Sequence, residues 1–289
     1  MLEVETPVMS HATVTDPHIL SIPAHYESLG SREETIVYLQ TSPEYAMKRL
    51  LAAGSGCIYQ ITKAFRQGEV GRLHNPEFTM LEWYRLGFDH HQLMNEVDAL
   101  LQCVLQTLPA ERISYGEAFE KYVGINPHVT TIDILQAAGE KHAIHFDNIL
   151  EKNGWLDLLF THCIEPHLGK EKPCFIYDFP ISQAALAKIR PENPPVASRF
   201  EVYFRGIELA NGFHELQNAP EQRRRFEANQ QYRLENQLSF IPIDENFLTA
   251  LEYGLPDCAG VALGMDRLIL LACQAVKIAD VLSFDFSNA

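Results

Sequence analysis

Several features are missing from this chain of 289 residues, and each absence narrows its function. No apolar run approaches the roughly 20 residues that span a bilayer, and the first residues lack the basic region and apolar core of a signal peptide. We therefore expect a cytoplasmic protein without a membrane partner. The 6 cysteines include no Cys-x-x-Cys pair, so we expect reduced, mainly buried thiols and no zinc site.

Positive charge is also in short supply. The chain has 23 Lys and Arg residues against 38 Asp and Glu residues, a formal net charge of −15. This balance disfavours binding a polyanion such as tRNA over a broad surface, because its phosphates need compensating cations. A local basic pocket is still compatible with it, and the candidate residues are Arg66, Arg72, Arg205 and Arg267.

Glycine-rich phosphate loops of the G-x-G-x-x-G or Walker type are absent as well, so a bound nucleotide would be held by side chains on a sheet. The patterning predicts an α+β fold with a mostly antiparallel sheet, because strands dominate and helices are inserted singly between hairpins. Strands are predicted at 36–41, 56–66, 78–85, 175–180 and 260–264, and two more are predicted within 200–216, joined around residues 205–206. Helices are predicted at 42–52, 90–108, 220–237 and 268–275, with a helix-rich polar region from 114 to about 155.

The segment 65–85 is the most informative part of the chain. It holds three arginines, a histidine, an asparagine and three acids, yet its pattern predicts two strands joined by a turn. From Phe78 onward, period-two alternation puts Phe78, Met80, Glu82 and Tyr84 on one face. A buried carboxylate and phenol need partners, so the pattern favours a site for a charged ligand over an amphipathic hairpin with a solvated face.

Two further segments carry candidate chemistry. Glu201 and Glu208 lie on the two strands of a predicted hairpin, and such a pair suits Mg²⁺ held with triphosphate oxygens, although surface acids on an edge hairpin give the same pattern. In residues 260–267, small and apolar residues alternate before Arg267, which could stack on a base or pair with a phosphate. Taken alone, that second pattern favours ordinary strand-to-helix packing.

Together these segments resemble the signature motifs of class II aminoacyl-tRNA synthetases, and of the lysyl branch in particular. Residues 2–7 resemble the end of the first signature, 65–85 the second and 260–267 the third. The resemblance continues through 41–44, 48–50, 175–180 and 200–216, which extends it over nearly the whole chain. It implies a class II synthetase-like antiparallel sheet flanked by helices.

Lysyl-tRNA synthetases carry an anticodon-binding domain for which this chain has no room. Through residues 9–16, 74–85 and 206–216 the chain is similar to the elongation factor P–(R)-β-lysine ligase family. Enzymes of that family activate (R)-β-lysine with ATP and transfer it to a lysine side chain of elongation factor P. The resemblance implies ATP and Mg²⁺ as cofactors and elongation factor P as the protein partner, with no tRNA.

The resemblance also implies one catalytic domain over residues 1–289, with a helix-rich insertion at about 110–160. The chain begins inside the first signature, without the long helix that normally packs at a dimer interface. We expect a truncated or misplaced start, and a homodimer is left open.

Roles for individual residues follow from the same resemblance. The catalytic pair is Arg66, at the α-phosphate and substrate carboxylate, and Arg267, over the adenine and γ-phosphate. The implied ATP-binding residues are Arg66, Gln67, Gly68, Glu69, His74, Asn75, Phe78, Glu208, Leu209, Gly264 and Arg267. The implied amino-acid-binding residues are Ser42, Pro43, Glu44, Tyr84, Asn211, Phe213, Glu215 and Ala262, with Tyr84 and Glu215 at the distal ammonium. The implied Mg²⁺ ligands are Glu201 and Glu208.

The chain departs from the family pattern at three positions. Gly68 stands where an acid usually recognises the adenine amino group, so we expect Glu69 or a backbone carbonyl to take over. Ala262 replaces the glycine of lysyl-tRNA synthetases, and its methyl group is expected to disfavour an α-amino acid and suit a displaced β-amino group. Asp266 stands beside Arg267 where many class II members have glutamate.

Two other functions agree with part of the pattern. The first is a truncated lysyl-tRNA synthetase that charges tRNA, and the second is a non-catalytic paralogue that senses an amino acid.

Two charged features have plainer interpretations. Residues 223–225 form a solvated helix face, or touch the protein acceptor. His90 and His91 cap or precede a helix rather than bind metal.

Overall fold

The computed structural model describes residues 1–27, 34–144 and 150–289. Its strands are β1 Leu2–Glu3, β2 Met9–Ser10, β3 Pro23–Glu27, β4 Glu34–Leu39, β5 Ile58–Phe65, β6 Glu77–Leu86, β7 Glu111–Ser114, β8 Cys174–Pro180, β9 Ile189–Arg190, β10 Val196–Phe204, β11 Ile207–His214 and β12 Cys258–Gly264. Its α-helices are α1 Glu44–Ala52, α2 His90–Leu105, α3 Tyr115–Tyr122, α4 Ile132–Lys141, α5 Lys152–Leu159, α6 Ala219–Glu235, α7 Glu245–Gly254 and α8 Met265–Ala272. The chain forms two compact units, Met1–Gly87 with Leu216–Ala289, and Phe88–Glu215.

The first unit is built on a hairpin, β5 and β6, whose strands pair antiparallel from Ile58↔Tyr84 to Phe65↔Glu77. Strand β12 pairs antiparallel with the other edge of β6, and the short β1 runs parallel to β5. A small sheet of β2, β4 and β3 stands apart from them in this unit. Helix α1 packs on α7, where the Tyr45 ring stacks on Phe247 at 4.5 Å.

The second unit is also a mostly antiparallel sheet. Strand β10 pairs antiparallel with β8 on one side and β11 on the other, while β7 runs parallel to β8. A register shift between Val202 and Tyr203 bends the β10–β11 pair. In both units the antiparallel pairing confirms the predicted α+β class.

The predicted elements are recovered with shifted ends. Helix α2 ends at Leu105 instead of 108, because Gln106 adopts the left-handed conformation (φ 55°). The helix-rich region contains α3, α4 and α5, but it is preceded by the unpredicted strand β7. Helix α7 was also missed.

The cysteines correct one expectation. All six are free, but only Cys174 and Cys258 are buried, so the prediction of mainly buried thiols is wrong. Cys103 is exposed because it lies on α2 outside the buried stripe of that helix, and Cys273 is exposed at the end of α8. Among the helices of the described ranges, none has the length and apolar character needed to cross a membrane.

Candidate functional site

The turn between β5 and β6 in the first unit gathers the predicted nucleotide residues. The Arg66 guanidinium lies 5.1 Å from the centre of the Phe78 ring and 3.6 Å from the Glu69 carboxylate. In the same turn, His74 Nε2 lies 2.7 Å from Arg267 Nη2. The structure therefore brings both predicted arginines to one turn, and Glu69 faces Arg66.

The electrostatics of His74 agree with this crowding of cations. Burial lowers the pKa of the His74 imidazole, and Arg267 and Arg66 lower it further against the opposing effect of Glu69. His74 is therefore neutral at neutral pH and can accept a hydrogen bond from Arg267.

Arg267 is placed by the junction of β12 and α8. Helix α8 begins at Met265, directly after the strand, and the Asp266 carboxylate accepts a hydrogen bond from the Thr79 backbone N–H at 2.7 Å. Gly264 lies next to the arginine, since a Cβ there would contact the Arg267 side chain at 3.6 Å. The buried Asp266 thus fixes the start of α8 against β6.

A buried polar cluster lies on the inner face of β6. The Tyr84 hydroxyl donates to Glu82 Oε1 at 2.6 Å and the Ser42 hydroxyl donates to Glu82 Oε2 at 2.8 Å. Glu82 and Tyr84 are each only 2% exposed, and Ala262 stands opposite Glu82 in the β6–β12 register. Carboxylate and phenol oxygens at this depth suit an ammonium group.

Burial has a large effect on Glu82. It raises the pKa of the carboxyl to about 7, with Glu44 acting in the same direction, while hydrogen bonds from Tyr84 and Ser42 and the charge of Lys48 oppose the rise. The carboxyl therefore changes charge near neutral pH, and a cation nearby would favour its ionised form.

Glu44 has a partner that the sequence analysis did not assign to the site. Lys48 Nζ lies 2.6 Å from Glu44 Oε1, and the lysine side chain is 1% exposed. Period-two alternation had put Glu82 on the predicted ligand face with Tyr84, but Glu82 was not among the residues assigned to the amino acid. Lys48 was missed, although its i,i+4 spacing puts it beside Glu44.

In the second unit, the β10–β11 hairpin carries the predicted metal ligands. Glu201 Oε1 lies 2.5 Å from Arg199 Nη2, and Glu201 Oε2 accepts from the Tyr203 hydroxyl at 2.6 Å. Arg199 Nε donates to Asn211 Oδ1 at 3.3 Å. Burial lowers the pKa of the Arg199 guanidinium, but Glu201 and Glu208 outweigh burial, and its pKa rises above the ordinary value.

These contacts bear on whether the hairpin fits a divalent cation. Two carboxylates around one guanidinium leave one net negative charge, and a carboxylate oxygen with one hydrogen bond keeps a lone pair. The donor set therefore fits Mg²⁺, which takes few protein oxygens and completes its shell with phosphate and water. Arg199 was missed, although its i−2 spacing from Glu201 places it on the same strand face.

The remaining predicted residues of this unit lie on or just after β11. Leu209 and Phe213 are buried, and Asn211 stands opposite Glu201 in the register. Glu215 is 1% exposed and its backbone pairs with Ala187.

His90 and His91 are the first residues of α2, directly after the capping residue Asp89. With Asp178 they form a group whose ligand atoms have the spacing of a metal site. Arg190 occupies this group, with Nη2 at 2.7 Å from Asp178 Oδ2 and Nη1 at 2.9 Å from His90 Nε2. The guanidinium already neutralises the carboxylate, which opposes a bound cation.

The arginines at the start of α6 have acidic partners. Arg223 pairs with Glu245, and Arg224 and Arg225 both pair with Glu221. The side chains of Arg223 and Arg224 are 39% and 76% exposed, as expected for a solvated helix face, but that of Arg225 is only 16% exposed and departs from the prediction.

Comparison with known proteins gives a consistent result. Residues 1–287 match the family described as class II tRNA synthetases (D, K and N). A Vibrio cholerae protein named elongation factor P–(R)-β-lysine ligase is 55% identical over 293 residues, covering 100% of this chain and 90% of that protein. Proteins of the same name from Vibrio atlanticus and Salmonella paratyphi B are 54% and 53% identical, with the same coverage.

Proposed function

The chain belongs to the class II tRNA synthetase family (D, K and N), and from that membership we propose that it activates (R)-β-lysine with ATP and transfers it to a lysine side chain of elongation factor P. The names of relatives at 53–55% identity support this ligase activity over tRNA charging or amino-acid sensing. The structural observation that supports the proposal is the buried cluster of Glu82, Tyr84 and Ser42, whose oxygen atoms can accept hydrogen bonds from an ammonium group.

The first step is in-line attack of the amino-acid carboxylate on the α-phosphate of ATP, which releases pyrophosphate. It needs positioning and charge neutralisation more than proton transfer. Arg66 would bind the α-phosphate and the carboxylate, and Arg267 would close over the nucleotide with His74. Phe78, which already holds Arg66 over its ring, would provide an apolar face for adenine.

Mg²⁺ would be held by Glu201 and Glu208, and when bound it would neutralise charge on the phosphate oxygens. Arg199 would orient Glu201 through their ion pair.

The distal ammonium of the substrate would bind at Glu82 and Tyr84, with Glu44 and Glu215 as the further acids of the predicted set. The methyl group of Ala262, which stands opposite Glu82 in the register, would reduce the space at the base of the amino-acid pocket. In the second step the neutral amine of the acceptor lysine attacks the carbonyl of the mixed anhydride, an amide forms and AMP leaves.

The test is ATP–pyrophosphate exchange with (R)-β-lysine or α-lysine, followed by transfer to elongation factor P or to tRNA. We expect exchange with (R)-β-lysine and transfer to elongation factor P, and an Arg66→Ala control without exchange. Exchange with neither amino acid, or transfer to tRNA alone, would contradict the proposal.

Ala262→Gly tests the proposed preference for the β-amino isomer. Removing the methyl group should raise α-lysine exchange relative to (R)-β-lysine exchange. An unchanged ratio of kcat/KM for the two isomers would rule out this role of Ala262.

A further inference from the structure

The turn between β5 and β6 is tied to the far end of the chain. The Ile278 N–H donates to Arg72 O at 2.8 Å, and Arg72 Nη1 donates to Val276 O at 3.2 Å. The Phe286 N–H donates to Asn75 Oδ1 at 2.9 Å. We call residues 276–286 the C-terminal strap.

The strap has its own anchors on this unit. Ile278 is 4% exposed, so its side chain is held in the core next to α8. Asn75 also donates from Nδ2 to Glu77 O at 2.7 Å, which links the strap to the first residue of β6. The strap thus reaches both the turn and the strand that follows it.

The same turn is also held by the arginine of α8. Arg267 Nε donates to Leu73 O at 3.3 Å, and Nη2 contacts His74. The Arg267 side chain and the strap therefore both hold the turn, and its backbone position decides where Arg66, His74 and Asn75 stand.

We propose that the C-terminal strap is a positioning element for ATP, holding the β5–β6 turn so that Arg66, His74 and Arg267 meet the nucleotide in one arrangement. This inference rests on the proposed function for its kinetic readout. It assigns Asn75 a positioning role through its side-chain oxygen. The amide still has capacity for a further hydrogen bond.

Phe286 allows a sharp test. It is the second residue of a turn closed by Asn288 N–H on Asp285 O at 3.1 Å, a position at which proline is favoured. Phe286→Pro therefore removes the N–H that binds Asn75 with little change of the backbone. Phe286→Ala is the matched control, since it trims the 64% exposed ring but keeps the N–H. Deletion of residues 282–289 removes the Phe286–Asn75 contact and keeps the contacts of Val276 and Ile278 with Arg72.

We expect Phe286→Pro and the deletion each to raise the KM for ATP in pyrophosphate exchange by about threefold to tenfold, the scale of one net hydrogen bond. The KM for (R)-β-lysine should stay within about twofold of wild type, a split that general loss of structure would not produce. Phe286→Ala should behave as wild type. Amide hydrogen exchange should accelerate in residues 71–75 of the proline variant and of the deletion, but not in Phe286→Ala.

An unchanged KM for ATP in both Phe286→Pro and the deletion, or an equal rise in both KM values, would overturn the inference. If the deletion does not fold, Phe286→Pro and Phe286→Ala decide alone. If wild type shows no exchange, the proposed function fails, but calorimetric binding of MgATP and hydrogen exchange of the turn still test the strap.

Discussion

Glu82 lies between opposing influences. Burial and the nearby Glu44 carboxylate favour its protonated form, while hydrogen bonds from Tyr84 and Ser42 and the charge of Lys48 favour its ionised form. The balance puts its pKa at about 7, so a bound ammonium would shift it to the ionised form. We therefore expect amino-acid binding to weaken as pH falls through 7.

Glu82→Gln tests both consequences. Because the folded-state pKa is raised from 4.5 to about 7, the stabilising effect of this group is full below pH 4.5 and is lost as pH rises through 7. At pH 8 the free energy of unfolding of the variant, measured by urea denaturation, should therefore exceed that of wild type by up to about 3 kcal/mol. Near pH 4.5 the two free energies should be equal. Its KM for lysine should rise about tenfold or more.

The control for Glu82→Gln is Glu77→Gln on the same strand, where the side chain is 55% exposed. It should change neither property. A Glu82→Gln variant less stable than wild type at pH 8 would show that the carboxyl is ionised and fully compensated in the folded state.

Lys48→Met tests the buried ion pair. Lys48 lowers the pKa of Glu82, so its removal should move the midpoint of pH-dependent lysine binding upward. Stability should fall by roughly 1–3 kcal/mol, since the Glu44 carboxylate, whose side chain is 18% exposed, loses its hydrogen-bonded partner. The measurement is the pH profile of kcat/KM for (R)-β-lysine; a midpoint that falls or stays fixed would contradict it.

At the scale of elements, one hydrogen bond joins α8 to β6. Asp266 sits in the first turn of the helix, where a carboxylate also interacts well with the helix dipole, and it accepts from Thr79 N–H. The register of β12 against β6 fixes the same junction from the strand side. The hydrogen bond and the strand register together fix the position of Arg267.

Asp266→Ala should leave the Thr79 N–H without its acceptor and cost roughly 1–3 kcal/mol of unfolding free energy. We also expect a higher KM for ATP, because the start of α8 is no longer fixed. Asp266→Asn keeps an acceptor oxygen and should lose much less of both. Equal losses in the two variants would mean that charge, rather than the hydrogen bond, holds the helix.

At the scale of the whole molecule, the net charge of −15 sets the expected partners. We predict that tRNA at concentrations up to roughly 10 µM gives no mobility shift at physiological salt, because nonspecific nucleic-acid binding requires compensating cations. Elongation factor P should accept the amino acid under the same conditions. A tRNA complex that weakens steeply with added salt would contradict this prediction. A single catalytic domain and a cytoplasmic location stay predictions, and the homodimer stays open.

Much of the framework follows from local sequence. The alternation of residues 78–85 predicted β6 and the face that carries Glu82 and Tyr84. The strand of small residues at 260–264 predicted that Arg267 lies at the start of the following helix, which is α8. Strand β7 was not predicted, because its four residues are too few to show a clear periodic pattern. The Lys48–Glu44 pair and the Arg199 contacts were not predicted, because residue spacing shows that two charges are neighbours but not how deeply folding buries them.

The sequence by itself determined the α+β class, the antiparallel hairpins and the two arginines, because alternation and spacing act over a few residues. Only the tertiary structure decided the raised pKa of Glu82, the partners of Glu201 and the hydrogen bonds between the C-terminal strap and the β5–β6 turn. Each of these depends on burial or on a partner that folding alone brings near, as with Asn75 and Phe286, which are 211 residues apart.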